Sequence, residues 1–197
     1  EILDLFTALA ASATAQGGQV IALDGNHEVM NVQGDFRYVT PGSVGAFAGV
    51  SPRSPFARSA PPAFQDRAAA FLPGGAYALE LAKRDVVAVV GDSVFVHGGV
   101  LPEHVRYGID RINHESRAWM RGDAGGGPER RAPEAIAGPT APIWVRDYSL
   151  DPVSPRACEM LGAVLESLKV KRMVVGHTVQ SQGISTACDD RVYRIDV

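Results

Sequence analysis

Residues 86–99, with the sequence VVAVVGDSVFVHGG, decide the fold class of this chain. Val86–Val90 and Ser93–Val96 are β-branched runs of strand length, and the Gly91-Asp92 pair between them is typical of a tight hairpin turn. The second run leads directly into His97-Gly98-Gly99. The stretch therefore predicts two antiparallel strands, the second of which ends in a polar, glycine-rich cluster.

Helices and short apolar strands alternate along the rest of the chain. Leu3–Ala13 repeats apolar residues at helical spacing, and Ser154-Pro155 is a suitable start for a helix that runs to about Leu168. A further helix is predicted over Val105–Arg121. Further strands are predicted at Gln19–Leu23, Arg172–Val175, Ile184–Ala187 and Val192–Ile195. This alternation indicates a mixed α/β domain in which helices flank the sheet.

Composition excludes several classes of protein. The chain has 197 residues, of which 46% are hydrophobic and 21% charged, so it can form a core and is not a disordered polypeptide. A net charge of −3 offers no basic surface for nucleic acid or an anionic membrane. No apolar run reaches the length of about 18 residues that a membrane helix needs. Cys158 and Cys188 are too few for a disulfide scaffold, and they are expected to be unpaired, as in a reducing compartment.

Three polar clusters follow apolar strands and share one local design. They are Gly25-Asn26-His27-Glu28, His97-Gly98-Gly99 and Gly176-His177-Thr178. Imidazole is a common ligand of transition metals, and an amide oxygen can join it, so the clusters suggest a metal site. The alternative for each histidine is a hydrogen-bonded structural role. His104 and His114 fit that alternative, and neither is assigned a function.

Taken in order, these clusters resemble the later motifs of calcineurin-like metallophosphoesterases, and more narrowly those of the phosphoprotein phosphatase type. The flanking sequence is similar to the bacterial Shewanella-like protein phosphatases. That similarity is carried by Asn26–Asn31, Gly34–Val39, Gly138-Pro139, Trp144-Val145-Arg146 and Cys188–Asp196. It covers nearly the whole chain.

The resemblance implies a metallophosphatase-type sandwich of two mixed sheets flanked by helices. Two earlier motifs of the family, Gly-Asp-x-His-Gly and Gly-Asp-x-x-Asp-Arg-Gly, occur nowhere in the sequence. Residues 1–197 are therefore expected to be the C-terminal portion of a single catalytic domain that lacks its first strands. The start at Glu1, without a methionine, agrees with this expectation.

The resemblance also implies roles for individual residues. Asn26, His97 and His177 would ligate the second metal of a two-metal site. His27 would protonate the leaving group as general acid, and Arg146 would hold the phosphate. The full-length parent would carry two divalent transition metal ions, such as Mn, Fe or Zn, and this chain at most one, because the missing motifs supply the ligands of the first.

The expected function is metal-dependent hydrolysis of phosphate monoesters, on phosphorylated proteins, by a water that two metals activate. The fragment alone is expected to be inactive. Two alternatives remain open: a small phosphoester substrate such as a dinucleoside polyphosphate, and a non-catalytic binding module of the same fold. No nucleic-acid or membrane partner is expected. A cytoplasmic location is preferred, although a secreted or periplasmic parent stays open.

Overall fold

The computed structural model describes residues 2–123 and 131–197, which form a mixed α/β structure around a five-stranded sheet. The strands are β1 (Val87–Val90), β2 (Ser93–Val96), β3 (Arg172–Val175), β4 (Ser185–Ala187) and β5 (Val192–Arg194). Their order across the sheet is β1-β2-β3-β5-β4. The predicted α/β class is confirmed, and so are both predicted hairpins.

Three neighbouring strands run in the same direction. β2 pairs in parallel with β3, and β3 pairs in parallel with β5, whereas β1 and β4 are antiparallel strands at the two edges. In this register Val96 lies opposite Val175, and Val175 lies opposite Arg194. Since carboxyl ends of parallel strands meet at one edge, the residues that follow Val96 and Val175 leave the sheet side by side.

Eight α-helices accompany this sheet in the described part of the chain. They are α1 (Ile2–Ala15), α2 (Asn26–Gln33), α3 (Gln65–Phe71), α4 (Ala76–Leu81), α5 (Pro102–Tyr107), α6 (Ile109–Arg121), α7 (Glu134–Ala137) and α8 (Pro155–Leu168). Within residues 2–123 and 131–197, none of them has the length and apolar character needed to cross a membrane. The helix predicted at Ser154 is confirmed, and the Ser154 hydroxyl accepts a hydrogen bond from the Ala157 amide at 3.1 Å.

Two predicted elements differ from the structure. The single helix expected over Val105–Arg121 is divided into α5 and α6 at Gly108, whose φ of 105° is incompatible with a continuous right-handed helix. The strand expected over Gln19–Leu23 is reduced to one parallel bridge between Leu23 and Asp85. An apolar run alone does not make a strand when only one residue finds a partner.

The core lies between the sheet and α4, α6 and α8. Leu81, Trp119 and Leu161, one from each helix, are 1% exposed or less. A buried side chain also fastens α6 to β1: Asn113 Oδ1 accepts hydrogen bonds from the Val86 and Val87 amides, and its Nδ2 donates to the Val87 carbonyl. These contacts hold α6 against β1 and so stabilise the sheet that carries the site.

In contrast, helix α1 has an exposed apolar face. None of its residues is buried, and Ile2, Leu5, Phe6 and Leu9 are each more than 40% exposed. The Tyr77 hydroxyl donates a hydrogen bond to Asp4 at 2.9 Å. Little free energy of unfolding can therefore depend on the apolar side chains of α1.

This difference between α4 and α1 gives a stability prediction. Leu81→Ala should lower the free energy of unfolding by about 2–5 kcal/mol, because it leaves a cavity in the core. The matched substitution Leu9→Ala on α1 should change it by less than about 0.5 kcal/mol. Urea unfolding followed by circular dichroism measures both. Equal losses for the two variants would contradict this packing.

The prediction of two unpaired cysteines is wrong. Cys158 on α8 and Cys188 in the β4–β5 turn form a disulfide across 30 residues of sequence, with their Cα atoms 5.3 Å apart. Because the two cysteines are paired, they do not support a reducing compartment. In the folded chain, the disulfide ties α8 to the outer hairpin of the sheet.

Removing the disulfide should reduce stability. The doubly substituted chain, with Cys158→Ser and Cys188→Ser, should lose about 3.5 kcal/mol of unfolding free energy, because closing a loop of this length restricts the unfolded chain. Urea unfolding compares it with the wild type. Peptide mapping by mass spectrometry of the unreduced protein provides the control, and finding both cysteines as free thiols would contradict the pairing.

Candidate metal centre

Two histidines meet at the carboxyl ends of β2 and β3. His97 directly follows β2, and His177 lies two residues after β3. The Gly176 amide donates to the His97 carbonyl at 2.8 Å, which extends the parallel pairing beyond the strands. As a result, His97 Nε2 lies 3.1 Å from His177 Nδ1, although 80 residues separate them in sequence.

His177 has an unusual backbone conformation, and one nitrogen of its side chain has no hydrogen-bond partner among the described residues. Its φ of 64° is left-handed, a conformation that few non-glycine residues adopt. Its Nε2 atom is buried and has no hydrogen-bond partner among the described residues. A buried nitrogen without a partner costs free energy, and such groups often belong to functional sites. The nitrogen is therefore a candidate ligand atom.

The electrostatic surroundings keep both imidazoles neutral. Burial lowers the pKa of His177 to about 4, with further contributions from Arg146 and from His97. Burial also lowers the pKa of His97. Only a neutral imidazole can give a lone pair to a metal ion. At pH 7 both side chains are therefore in the form that can bind a metal.

The first turn of α2 brings two more of the predicted residues to the same place. Asn26 is the first residue of α2 and is 6% exposed, and His27 follows it. The Gly25 amide before them donates to Glu28 Oε2 at 2.9 Å. A Cβ atom at Gly25 would lie only 3.0 Å from His97 Nδ1. Glycine thus allows the start of α2 to pack against the His97 ring.

Arg146 lies on a segment that packs closely against Gly98 and Gly99, the two glycines after His97. The amides of Gly98 and Gly99 both donate to the Pro142 carbonyl, at 2.9 and 2.8 Å. A Cβ at Gly98 would lie 2.7 Å from backbone oxygens of this segment, so no larger residue fits. Arg146 Nη1 donates to the His177 carbonyl and to Thr178 Oγ1, both at 2.8 Å.

All five residues proposed from the sequence line one cavity of about 470 Å³, namely Asn26, His27, His97, Arg146 and His177. The two remaining histidines lie elsewhere. His104 is buried, accepts from the Leu101 amide through Nδ1 and contacts the Thr140 carbonyl, which is a structural role. His114 is exposed on α6.

The cavity also contains residues that sequence reasoning did not assign. Glu28, Tyr38, Trp144 and Asp196 complete its lining. The Tyr38 ring stacks on His27 with centroids 5.4 Å apart, and Trp144 meets His177 edge-on at 5.5 Å. All four belong to the motifs that carry the family resemblance, which was the available signal.

Asp24, directly before the first cluster, was also missed. It is 1% exposed, and neither carboxylate oxygen has a hydrogen-bond partner among the described residues. Burial, reinforced by Glu28, raises its pKa well above the usual range. The sequence feature that could have identified Asp24 is the position of this acidic residue between the apolar run Val20–Leu23 and Gly25.

The donor set fits one transition metal ion better than two. Asn26, His97 and His177 offer an amide oxygen and two imidazoles, all neutral. Within residues 2–123 and 131–197, no cluster of three or more His, Cys, Asp or Glu side chains has the geometry of a metal site. Glu28 and Asp196 line the cavity, but they form no such cluster with the histidines, so the described residues offer no carboxylate-rich set of ligands for a second cation.

The lowered pKa of His177 predicts a pH dependence of stability. Between pH 6.5 and about 4, the unfolded chain protonates this side chain and the folded chain does not, so the metal-free protein should lose stability as the pH falls through this window. His177→Asn should flatten the slope, and Asn tolerates the left-handed backbone. Urea unfolding from about pH 7.5 to about pH 4.5 measures it.

Asp24 acts in the opposite direction, because a raised carboxyl pKa makes the folded state lose stability as the pH rises. The quantity to compare is therefore the difference between variant and wild type in the pH dependence of the free energy of unfolding. His114→Asn, on the exposed face of α6, is the matched control. A slope that His177→Asn leaves as steep as that of the control would contradict the assigned environment.

Comparisons with known proteins show which sequences and structures are similar to this chain. No protein-family model matches the chain. Shewanella-like protein phosphatase 2 of Arabidopsis thaliana is 38% identical over the whole chain, which spans 57% of that protein. An uncharacterized protein of Acanthamoeba polyphaga mimivirus is 30% identical over 93% of the chain, which covers 82% of it.

Solved structures share the fold. A cold-active protein tyrosine phosphatase superposes with a TM-score of 0.75 at 23% identity, over 99% of the chain and 53% of the solved protein. The cold-active protein tyrosine phosphatase of a psychrophilic Shewanella species gives a TM-score of 0.73 at 22% identity. The chain thus spans about half the length of these proteins and of the Arabidopsis relative.

Proposed function

Because the chain belongs to the Shewanella-like protein phosphatases, we propose that it forms part of a metal-dependent phosphatase that hydrolyses phosphate monoesters on proteins. One observation carries the proposal. Two neutral imidazoles, an amide and a guanidinium line a single cavity at the carboxyl edge of the parallel strands. This combination offers ligands for a cation and a charge for a phosphate, next to a histidine that can move a proton.

Asn26, His97 and His177 would hold one divalent ion of manganese, iron or zinc. Such an ion, when bound, lowers the pKa of water and withdraws charge from phosphate oxygens. The chain contributes by keeping the two imidazoles neutral and by fixing them through the backbone contact between Gly176 and His97. The Nε2 atom of His177, which is buried without a hydrogen-bond partner among the described residues, fits the role of a ligand atom for such an ion.

His27 would donate a proton to the leaving-group oxygen. It lines the cavity from the first turn of α2, where Tyr38 stacks on its ring. Asn31 Nδ2 donates to the His27 carbonyl at 2.7 Å and so holds that turn in place. General acid catalysis of this kind is worth about 10²–10⁴-fold in rate.

Arg146 would bind the phosphate oxygens. Its hydrogen bonds to other described residues use Nη1 alone, through the His177 carbonyl and Thr178 Oγ1. These contacts orient the guanidinium plane and leave its other N–H groups for an anion. A planar guanidinium can hold phosphate in a bidentate manner, which an ammonium group cannot do.

Two metal ions are proposed only for the full-length parent. The described residues supply neutral ligands for one cation and no comparable set for another. We therefore propose that the 197-residue chain binds at most one ion and does not hydrolyse phosphate esters by itself.

The test compares this chain with the product of the whole gene. The gene product should hydrolyse phosphopeptides only when a divalent metal is present, and His27→Asn should lower kcat by about 10²–10⁴-fold with metal content unchanged. Asn26→Ala should instead reduce bound metal, measured by elemental mass spectrometry. His114→Ala is the control and should alter neither quantity.

Two outcomes would contradict the proposal. Phosphopeptide hydrolysis by the gene product that survives exhaustive chelation would exclude metal dependence. Full metal content and full activity in Asn26→Ala would remove this residue from the site. If the gene product binds phosphopeptides without hydrolysing them under any metal, the non-catalytic binding module replaces the enzyme.

A further inference from the structure

A buried guanidinium without a counter-ion lies beside the candidate centre. Arg67 on α3 is 9% exposed, and its guanidinium carbon lies 5.0 Å from the ring centroids of both Phe47 and Phe71. The salt bridges formed among residues 2–123 and 131–197 include none to Arg67. Burying an unpaired charge is costly, so a full positive charge at this position needs an explanation.

Neutral acceptors hold this guanidinium in one orientation. Nε donates to Asn31 Oδ1 at 2.8 Å, and Nη1 donates to the Ser43 carbonyl at 3.3 Å. The same Asn31 side chain donates through Nδ2 to the His27 carbonyl. Arg67 is therefore fixed relative to the turn that carries the proposed general acid, and its charge is not neutralised by these contacts.

A cavity of about 270 Å³ opens onto this charge. Arg67, Asn31, Ser43 and Thr40 contribute to its lining. His27 and Tyr38 line it as well, and both also line the 470 Å³ cavity of the candidate centre. The two cavities thus adjoin at these rings, and one ligand of peptide size can reach both.

One carboxylate also faces this cavity, but it has its own partner. Asp35 is held by Arg37, whose Nε lies 2.9 Å from each carboxylate oxygen. The Arg37 side chain lowers the pKa of Asp35, as expected for a tightly paired carboxylate. Asp35 is thus paired with a cation from outside the lining, and Arg67 is the charged residue of the lining for which the described part of the chain shows no ion pair.

We propose that this second cavity binds an anionic group of the substrate, carried within a few residues of the phosphorylated residue. A carboxylate and a second phosphate share the chemistry that a fixed guanidinium recognises, since both accept paired hydrogen bonds. The proposal rests on the proposed function and narrows its substrate class to acidic or doubly phosphorylated phosphopeptides.

Binding of labelled phosphopeptides to the 197-residue chain, with a divalent metal present, tests this by fluorescence anisotropy. Three peptides differ only at the positions flanking the phosphorylated residue, which carry Gln, Glu or phosphoserine. A charge-assisted contact should make the Glu peptide bind about 10-fold more tightly than the Gln peptide. The phosphoserine peptide shows whether a second phosphate is preferred to a carboxylate.

A charge placed at the rim of the cavity provides the matched variants. Thr40 is exposed, and Thr40→Glu should abolish the preference for acidic peptides, whereas Thr40→Gln, of the same shape, should retain it. Arg67→Gln should also abolish the preference, and a thermal melt establishes that the variant is folded. If Arg67→Gln does not fold, the two Thr40 variants decide the question.

Equal affinity for all three peptides, or a preference that survives Thr40→Glu, would overturn the inference. The absence of peptide binding altogether would overturn it as well. The proposed function fails independently, because hydrolysis of a simple aryl phosphate by the whole gene product involves no second anionic group. If the gene product does not hydrolyse the aryl phosphate but the chain still prefers acidic phosphopeptides, the proposed phosphatase activity is rejected. The proposed anion-binding cavity is then retained.

Discussion

The parallel pairing of β2 with β3 is the constraint on which the candidate centre depends. It places Val96 opposite Val175, and the Gly176 amide continues the pairing by donating to the His97 carbonyl. Two imidazoles that are 80 residues apart are thereby held 3.1 Å from each other. A shift of this register by one residue would turn one of them to the opposite face of the sheet.

The rest of the site is arranged around this pair by close backbone approach. Gly25 lets α2 begin against His97, and Gly98 lets the segment with Arg146 pass at a distance that any Cβ would prevent. Burial then lowers the pKa of both imidazoles and leaves His177 Nε2 without a partner. The unpartnered nitrogen costs free energy at this site, while α4, α6 and α8 bury the core of the sheet elsewhere.

Much of this arrangement could be predicted from local sequence. The two hairpins and α8 follow from apolar periodicity and turn residues, and the three polar clusters were visible as glycine-flanked histidines after strands. Gly108 divides a helix because of its positive φ, which composition does not reveal. The Cys158–Cys188 disulfide joins distant segments, and Arg67 reaches Asn31 only through tertiary packing, so neither could be read from neighbouring residues.

The central claim is that Asn26, His97 and His177 bind one divalent ion together. Crystals of the 197-residue chain grown with Zn²⁺, with diffraction data collected at and below the zinc absorption edge, test it most directly. An anomalous difference peak within coordination distance of these three side chains is the predicted result. The absence of a peak there, or one bound by other residues, would contradict the account.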